Sequence, residues 1–196
     1  MKPLEAAKSR LAPKLAAGER RALALNLLLR VVRCASRASL NSVWVVGGGA
    51  VVRELAEEAV ALWLEDQMPD LNSCLAHCFK VAFQLQLAAL YLSGDLPLVD
   101  WPEIHDLAGS LRPNTDLVIC PDERGEGTNA LLVPVGSPIQ PSLGPGSFQR
   151  HLQAACSLGL KVTLYQSPGL AFDLDTPLDL VALEERSPGT LANLIQ

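Results

Sequence analysis

Short apolar or β-branched runs alternate with longer segments of helical periodicity along most of the 196-residue sequence. Runs such as 42–46 and 116–120 lie between segments in which apolar side chains recur every three or four positions. This alternation is typical of an α/β protein, in which a mostly parallel sheet is covered by helices on both faces. Ligands of such sheets bind beyond the carboxyl ends of the strands, so we look for chemistry in the loops that follow strands.

The pattern predicts a single domain over residues 1–196, whose size allows a core without disulfides or a structural metal. Thr176 is the expected N-cap of the last helix, with Pro177 at its first position. The predicted helices are 18–37, 50–58, 71–83, 102–111, 147–158 and 176–185. The predicted strands are 42–46, 60–64, 85–92, 116–120, 130–135, 161–165 and 170–172.

Charge and cysteine content narrow the classes of function. The net charge of -5 argues against a general nucleic-acid binder. The first 40 residues, however, carry nine basic and two acidic side chains, so this segment is expected to bind an anion. Five cysteines without a C-x-x-C pair indicate reduced thiols and a cytoplasmic protein. No signal-peptide or membrane-spanning run is found, so no membrane partner is expected.

Three glycines, Gly47 to Gly49, follow a strand and precede a helix, which is the outline of a dinucleotide-binding turn. The G-x-G-x-x-G pattern fails because valine stands at position 52. We therefore predict a flexible turn between strand and helix and no dinucleotide site.

Two acidic segments are the strongest candidates for a metal site. Asp95 follows a hydrophobic strand and is held by a proline-stiffened turn, where its carboxylate can bind a metal–phosphate complex or simply form a turn. Asp173 and Asp175 alternate with apolar residues, so they share a face about 7 Å apart and can close on one hard cation. Asp175 as a mere helix cap is the alternative.

Basic and glycine-bearing segments suggest phosphate ligands. Lys2, Lys8 and Arg10 lie before the first helix, where they can neutralise a triphosphate or form a solvated basic face. The loops 125–129 and 143–147 end in amide or hydroxyl residues, and the second opens a helix at which Ser147 can cap and donate. Together with the three carboxylates, these loops predict two phosphate-bearing substrates around a metal.

These segments together resemble the guanylyltransferases of coenzyme F-420 biosynthesis, which activate 2-phospho-L-lactate or phosphoenolpyruvate with GTP. The resemblance covers nearly the whole chain and is most specific in the long motifs at 144–151 and 168–177. The Asp95-Leu96-Pro97 motif is shared with other nucleotidyltransferases, including molybdenum-cofactor enzymes. The resemblance implies a three-layer α/β/α nucleotidyltransferase fold of the GT-A, Rossmann-like kind, with a mostly parallel mixed sheet.

The resemblance also implies a role for each motif. Asp95, Asp173 and Asp175 would hold Mg²⁺ as the catalytic centre. The nucleotide would be bound by Lys2, Lys8, Arg10 and Asn72, and the phosphorylated acid by Thr128, Gly144 and Ser147. The implied reaction is in-line attack of the acid's phosphate oxygen on the α-phosphorus of GTP, with release of pyrophosphate.

Two departures from the family pattern bear on activity. The family usually has a short strand before the Lys2-Pro3-Leu4 segment, and here that strand is missing before residue 1. Asp70 stands where the family commonly has glycine. A different nucleotidyltransferase of the same fold and a catalytically inactive ligand-binding relative are therefore the alternatives. The choice among phosphoenolpyruvate, 2-phospho-L-lactate and 3-phosphoglycerate stays open, as does the oligomeric state, a homodimer included.

Overall fold

The computed structural model describes residues 7–112 and 115–196, which form two compact units that are interleaved in the sequence. The first unit contains the described residues of 7–66, 94–101 and 172–196. The second unit contains those of 67–93 and 102–171. In the described part of the chain, no helix is long and apolar enough to cross a bilayer.

The first unit is built around the pairing of two short parallel strands. Its elements are a 3-10 turn (Ser9–Leu11), α1 (Ala17–Arg37), β1 (Trp44–Val46), α2 (Gly49–Glu58), β2 (Leu62–Leu64), α7 (Pro177–Arg186) and α8 (Thr190–Leu194). Strands β1 and β2 pair from Trp44 opposite Leu62 to Val46 opposite Leu64. Helices α1 and α2 contribute Leu28, Val32, Val52 and Ala56 to the buried cluster around β1. Burial of these apolar side chains is the main force that stabilises this part of the unit.

The predicted glycine turn is confirmed between β1 and α2. Gly47, Gly48 and Gly49 all have positive φ angles, of 75°, 85° and 74°. A Cβ atom on Gly48 would lie 2.6 Å from the Val52 side chain, so a larger residue does not fit there. The three glycines thus serve the chain reversal at the start of α2.

The second unit contains a four-stranded mixed sheet of order β3-β5-β4-β6. Its elements are α3 (Leu71–Gln84), β3 (Ala89–Leu92), most of α4 (Trp101–Ala108), β4 (Leu117–Pro121), β5 (Thr128–Val133), α5 (Ser147–Ser157), β6 (Val162–Leu164) and α6 (Pro168–Ala171). Strand β5 runs antiparallel to both neighbours, whereas β4 and β6 are parallel. Every residue of β5 is buried, so this strand forms the centre of the unit.

Apart from shifts of one or two residues at the ends of elements, three predicted elements differ in the structure. The strand predicted for 85–92 forms only over Ala89–Leu92, because Gln86 adopts a left-handed φ of 59° that ends α3. The helix predicted for 102–111 is Trp101–Ala108. The strand predicted for 170–172 is wrong, since Pro168–Ala171 is a helical turn. The Glu103 carboxylate accepts a hydrogen bond from the Gly169 N–H at 2.9 Å, and such a distant partner leaves no local sequence signal.

Candidate active site

The first unit brings Asp95 next to the second acidic segment. The Leu174 N–H donates to the Asp95 carbonyl at 3.2 Å, which ties the two backbones together. Phe172 and Leu174 are buried, whereas Asp173 and Asp175 are partly exposed, so the two acids alternate with the core residues as predicted. This alternation keeps the carboxylates out of the apolar cluster and available to a cation.

The Lys8 ammonium occupies the point at which two of these carboxylates converge. Its Nζ atom donates to Asp95 Oδ2 at 2.8 Å, to Asp175 Oδ1 at 3.0 Å and to the Leu174 carbonyl at 2.6 Å. These contacts use all three donors of the ammonium. Burial alone would lower the pKa of Lys8, but the charges of Asp95 and Asp175 outweigh it and the pKa is raised. Lys8 therefore remains a cation at this position.

The backbone at Lys8 is strained. Its φ is 51°, in the left-handed region that costs a residue with a side chain about 1–2 kcal/mol. The 3-10 turn Ser9–Leu11 follows directly and is fixed by Leu11, whose side chain is fully buried. The burial of Leu11 and the ion pairs of Lys8 offset the strain, which persists only where the surroundings impose it.

The other predicted phosphate-binding cations are placed differently. Arg10 is largely exposed, and its Nη1 lies 3.8 Å from Asp175 Oδ2, a distance that allows only a weak ion pair. Lys2 lies outside the described residues. Of the two described side chains among these cations, Lys8 is thus buried and Arg10 extends towards solvent.

At the predicted metal site, the structure brings two carboxylates together. Asp95 and Asp175 approach one point, within 3.0 Å of the same Lys8 nitrogen. Within residues 7–112 and 115–196, no cluster of three or more acidic, histidine or cysteine side chains is arranged to hold a metal ion. Carboxylate oxygens are the ligands that Mg²⁺ prefers, so the donor type fits a divalent cation, with Lys8 as the present occupant.

Asp175 does not cap the last helix, which excludes the simpler interpretation of this residue. Thr176 is the N-cap and Pro177 opens α7, as predicted. The buried Asp179 carboxylate accepts from the Thr176 N–H at 2.6 Å and from the Asp175 N–H at 2.9 Å. Asp179 therefore satisfies the helix start, and the Asp175 side chain remains available to cations.

The second unit contains the loop predicted to bind the phosphorylated acid. Gly144 and Gly146 have φ angles of 112° and 71°, which favour glycine at both positions. Gly146 is the N-cap of α5, so the prediction that Ser147 caps this helix is wrong. The Ser147 hydroxyl instead donates to Thr128 Oγ1 at 3.2 Å, which places two predicted acid-binding hydroxyl groups side by side.

Two side chains anchor this loop. The Asn72 amide forms a pair of hydrogen bonds with Leu143, accepting from its N–H at 2.6 Å and donating to its carbonyl at 3.3 Å. Arg150 donates through Nε to Ser142 Oγ at 2.9 Å, and its Nη atoms reach the carbonyls of Ser142 and Pro145. Asn72, predicted to contact the nucleotide, is thus engaged with the loop predicted to bind the acid.

His151 is a third contact of the loop; it lies in the motif 144–151 but was not predicted as a site residue. Its side chain is fully buried, with Nδ1 3.0 Å from Thr128 Oγ1 and Nε2 2.9 Å from the Ser142 nitrogen. Burial, and secondarily the charge of Arg150, lower the pKa of His151 to about 4. The four-residue spacing between Ser147 and His151 on α5 is the sequence signal that could have found it.

The unusual Asp70 has a structural explanation. Its carboxylate accepts from the N–H groups of Asn72 and Ser73, at 2.9 and 3.0 Å, as the N-cap of α3. Hydrogen bonding by the Ser73 side chain and backbone lowers the pKa of Asp70. Asp70 thus stabilises the helix that carries Asn72.

Comparison with solved structures defines the fold. A protein from Desulfovibrio desulfuricans assigned as a nucleotide-diphospho-sugar transferase matches with a TM-score of 0.74 at 18% identity, over 96% of this chain and 90% of that one. A nucleotidyl transferase from Methanothermobacter matches with a TM-score of 0.59 at 16% identity, over 85% and 81%. The fold is therefore that of the nucleotidyltransferases, as predicted.

Sequence comparison defines the family. The family model "Guanylyl transferase CofC like" matches residues 1–192, and the chain belongs to this family. A phosphoenolpyruvate guanylyltransferase of Chloroflexus aggregans is 38% identical over 184 residues, 89% of each chain. One of Rubrobacter xylanophilus is 38% identical over 94% of this chain and 90% of its own. The resemblance to this family predicted from the sequence is confirmed, and the protein is an enzyme of the guanylyltransferase type.

Proposed function

We propose that this enzyme transfers GMP from GTP to phosphoenolpyruvate and releases pyrophosphate, as a step of coenzyme F-420 biosynthesis. The observation that carries the proposal is the convergence of Asp95 and Asp175 on one buried cation, in a chain 38% identical to phosphoenolpyruvate guanylyltransferases. Those relatives' name supplies the acceptor, which the residues alone leave open among several phosphorylated acids.

The proposed chemistry needs positioning and charge neutralisation more than acid–base catalysis. An oxygen of the acceptor phosphate forms a bond to the α-phosphorus of GTP. The bond from the α-phosphorus to the α–β bridging oxygen breaks, and its electron pair leaves with pyrophosphate. Because the attacking phosphate is already an anion, no base is required to remove a proton.

We extend the proposal to Mg²⁺, with Asp95 and Asp175 as ligands. Asp173, from the same segment as Asp175, would be the third ligand. The ion would neutralise charge that develops on the phosphate oxygens. A divalent cation and the Lys8 ammonium would compete for the carboxylates, because Lys8 already binds one oxygen of each. Displaced from there, Lys8 would join Arg10 and Lys2 in binding the triphosphate.

The phosphorylated acid is assigned to Thr128, Gly144 and Ser147 in the second unit. Thr128 and Ser147 are only 6% and 1% exposed, so their hydroxyl groups are held by the protein interior. The loop that precedes Ser147 is fixed by Asn72, Arg150 and His151. Donors held in this way lose little freedom when an anion binds, which is the benefit of preorganisation.

Pyrophosphate release from GTP and phosphoenolpyruvate in the presence of Mg²⁺ tests the proposal, with the guanylylated product identified by mass spectrometry. Parallel reactions contain 2-phospho-L-lactate or 3-phosphoglycerate, or CTP in place of GTP. The Asp95→Asn variant should lose turnover and remain folded, whereas Asp66→Asn, at an exposed position, should retain it.

Each contrary outcome has a definite meaning. Turnover with 2-phospho-L-lactate alone would correct the acceptor, and turnover with CTP alone would favour another nucleotidyltransferase reaction. Absence of turnover with every pair would indicate the ligand-binding relative. Full activity of Asp95→Asn would contradict the assignment of this carboxylate.

A further inference from the structure

The imidazole of His151 connects the acid-binding loop with the central strand of the second unit. It is fully buried on α5, between Thr128 at the start of β5 and Ser142 in the loop. Each ring nitrogen has one protein partner, at 3.0 Å for Nδ1 and 2.9 Å for Nε2. A buried histidine with two fixed partners cannot rotate or exchange its roles without losing a hydrogen bond.

The partner of Nε2 determines where the ring proton lies. The backbone N–H of Ser142 is a donor only, so Nε2 must accept with its lone pair and carries no proton. A neutral imidazole has one N–H, which is therefore on Nδ1. The Nδ1–H group then donates to Thr128 Oγ1. The lowered pKa of His151, about 4, agrees with a neutral ring.

The Thr128 oxygen receives a second hydrogen bond. Ser147 Oγ donates to it at 3.2 Å, so both lone pairs of the Thr128 hydroxyl are used by His151 and Ser147. The hydroxyl proton remains, and the residues that the structure describes offer it no acceptor. Thr128 thus presents an unused donor next to a glycine-bearing loop, which suits a ligand that only accepts hydrogen bonds, such as a phosphate or carboxylate group.

We propose that His151 is a positioning residue that, as its Nδ1–H tautomer, makes the Thr128 hydroxyl a hydrogen-bond donor to the phosphorylated acid. The proposal rests on the proposed function in one respect, namely that the acid binds at Thr128 and Ser147. It goes further by assigning a direction to each hydrogen bond in the network. His151 acts through Thr128 and does not itself touch the substrate.

The ring tautomer of the wild-type protein can be measured without any turnover. Long-range proton–nitrogen correlation spectra of protein labelled with ¹⁵N-histidine distinguish the two neutral tautomers and the imidazolium. The His151 signals are assigned by their absence in His151→Gln. We expect the Nδ1–H tautomer at pH 7, and either the Nε2–H tautomer or the imidazolium would overturn the proposal.

Two substitutions separate the two hydrogen bonds of the ring. In His151→Asn, the amide nitrogen lies near the position of Nδ1 and can still donate to Thr128. In His151→Gln, the longer side chain can accept from Ser142 but offers Thr128 no donor from the Nδ1 position. We expect KM for phosphoenolpyruvate to rise about tenfold in His151→Gln and less than threefold in His151→Asn, with KM for GTP within twofold in both. An equal rise in both variants would indicate a structural role and contradict the proposal.

Thr128→Val provides a test of coupling. If His151 acts through Thr128, then His151→Gln should change KM for the acid by less than twofold in the Thr128→Val background, whereas independent roles would give additive effects. His77→Gln is the matched control, because His77 is exposed on α3. Should the wild-type protein turn over no phosphorylated acid, the proposed function fails, while the tautomer measurement still decides the role of His151.

Discussion

The ammonium nitrogen of Lys8 lies 2.8 Å from a carboxylate oxygen of Asp95, although the two residues are 87 positions apart in the sequence. Asp175 completes the arrangement from 167 positions away. One lysine thus joins three distant segments of the first unit and compensates two acids that would otherwise repel each other. Removing the buried lysine from this partly exposed network costs more than its net contribution, because the remaining charges lose their partner.

Replacement of Lys8 by methionine should lower the free energy of unfolding by about 2 kcal/mol, since Asp95 and Asp175 are left without their cation. Urea unfolding at pH 7 measures the change. Lys14→Met is the control, because Lys14 is exposed and should have an effect near zero. The Lys8→Met variant should also bind Mn²⁺ more tightly than the wild type in calorimetry. Weaker binding would show that Lys8 does not compete for the carboxylates.

Replacement of Asn72 by alanine should raise KM for the phosphorylated acid about tenfold and leave KM for GTP within twofold. The physical reason is the loss of both hydrogen bonds to Leu143, each worth about 1 kcal/mol. Steady-state kinetics with each substrate varied in turn makes the distinction, and Gln84→Ala on the same helix is the control. A rise confined to KM for GTP would instead support the prediction made from the sequence, a nucleotide contact.

Replacement of Asp70 by alanine should lower Tm by about 2–4 °C, because α3 loses its N-cap. Asp70→Gly should cost less, since glycine is tolerated at N-cap positions. Thermal unfolding followed by circular dichroism compares the two variants with the wild type.

The pKa of Asp70 is lowered in the folded protein, so its stabilising contribution should be present near pH 7 and disappear as the pH falls through the acidic range. Equal Tm values for all three proteins would argue against the cap.

Acid should destabilise the protein through His151. Its pKa is about 4 in the folded state and about 6.5 when unfolded, so the unfolded chain takes up the proton first. The contribution of the neutral ring is complete above about pH 6.5 and is lost progressively as the pH falls from there to about 4. The loss should approach about 3 kcal/mol at the lower limit. Urea unfolding of the wild type and of His151→Gln between pH 7.5 and 4.5 measures it, and parallel pH dependences would contradict the prediction.

Features carried by local sequence were predictable. The helix start at Thr176 and Pro177 follows from capping rules, and the turn at Gly47 to Gly49 follows from the need for positive φ. The approach of Asp95 to Asp175 was expected from strand ends that meet at one edge of a sheet, but that reason holds only for Asp95, which follows β3, since a helical turn precedes Asp175.

Features set by distant partners were not predictable. A basic segment does not reveal whether its lysine binds a phosphate or an aspartate, so the ion pairs of Lys8 could not be read from composition. The contact of Asn72 with Leu143 likewise depends on a partner 71 positions away and could not be predicted from the local sequence. Every residue of β5 is buried, so its sequence lacks the alternation of many antiparallel strands, which is why its antiparallel course was not foreseen.

The interleaving of the two units has a consequence for biosynthesis. The second unit has all of its residues once position 171 has been made, whereas the first unit still lacks Asp175, α7 and α8 at that stage. On the ribosome, 167 further residues must therefore be added after Lys8 before both of its carboxylate partners exist. A ribosome that stalls between positions 171 and 175 therefore holds every residue of the second unit and only part of the acidic centre.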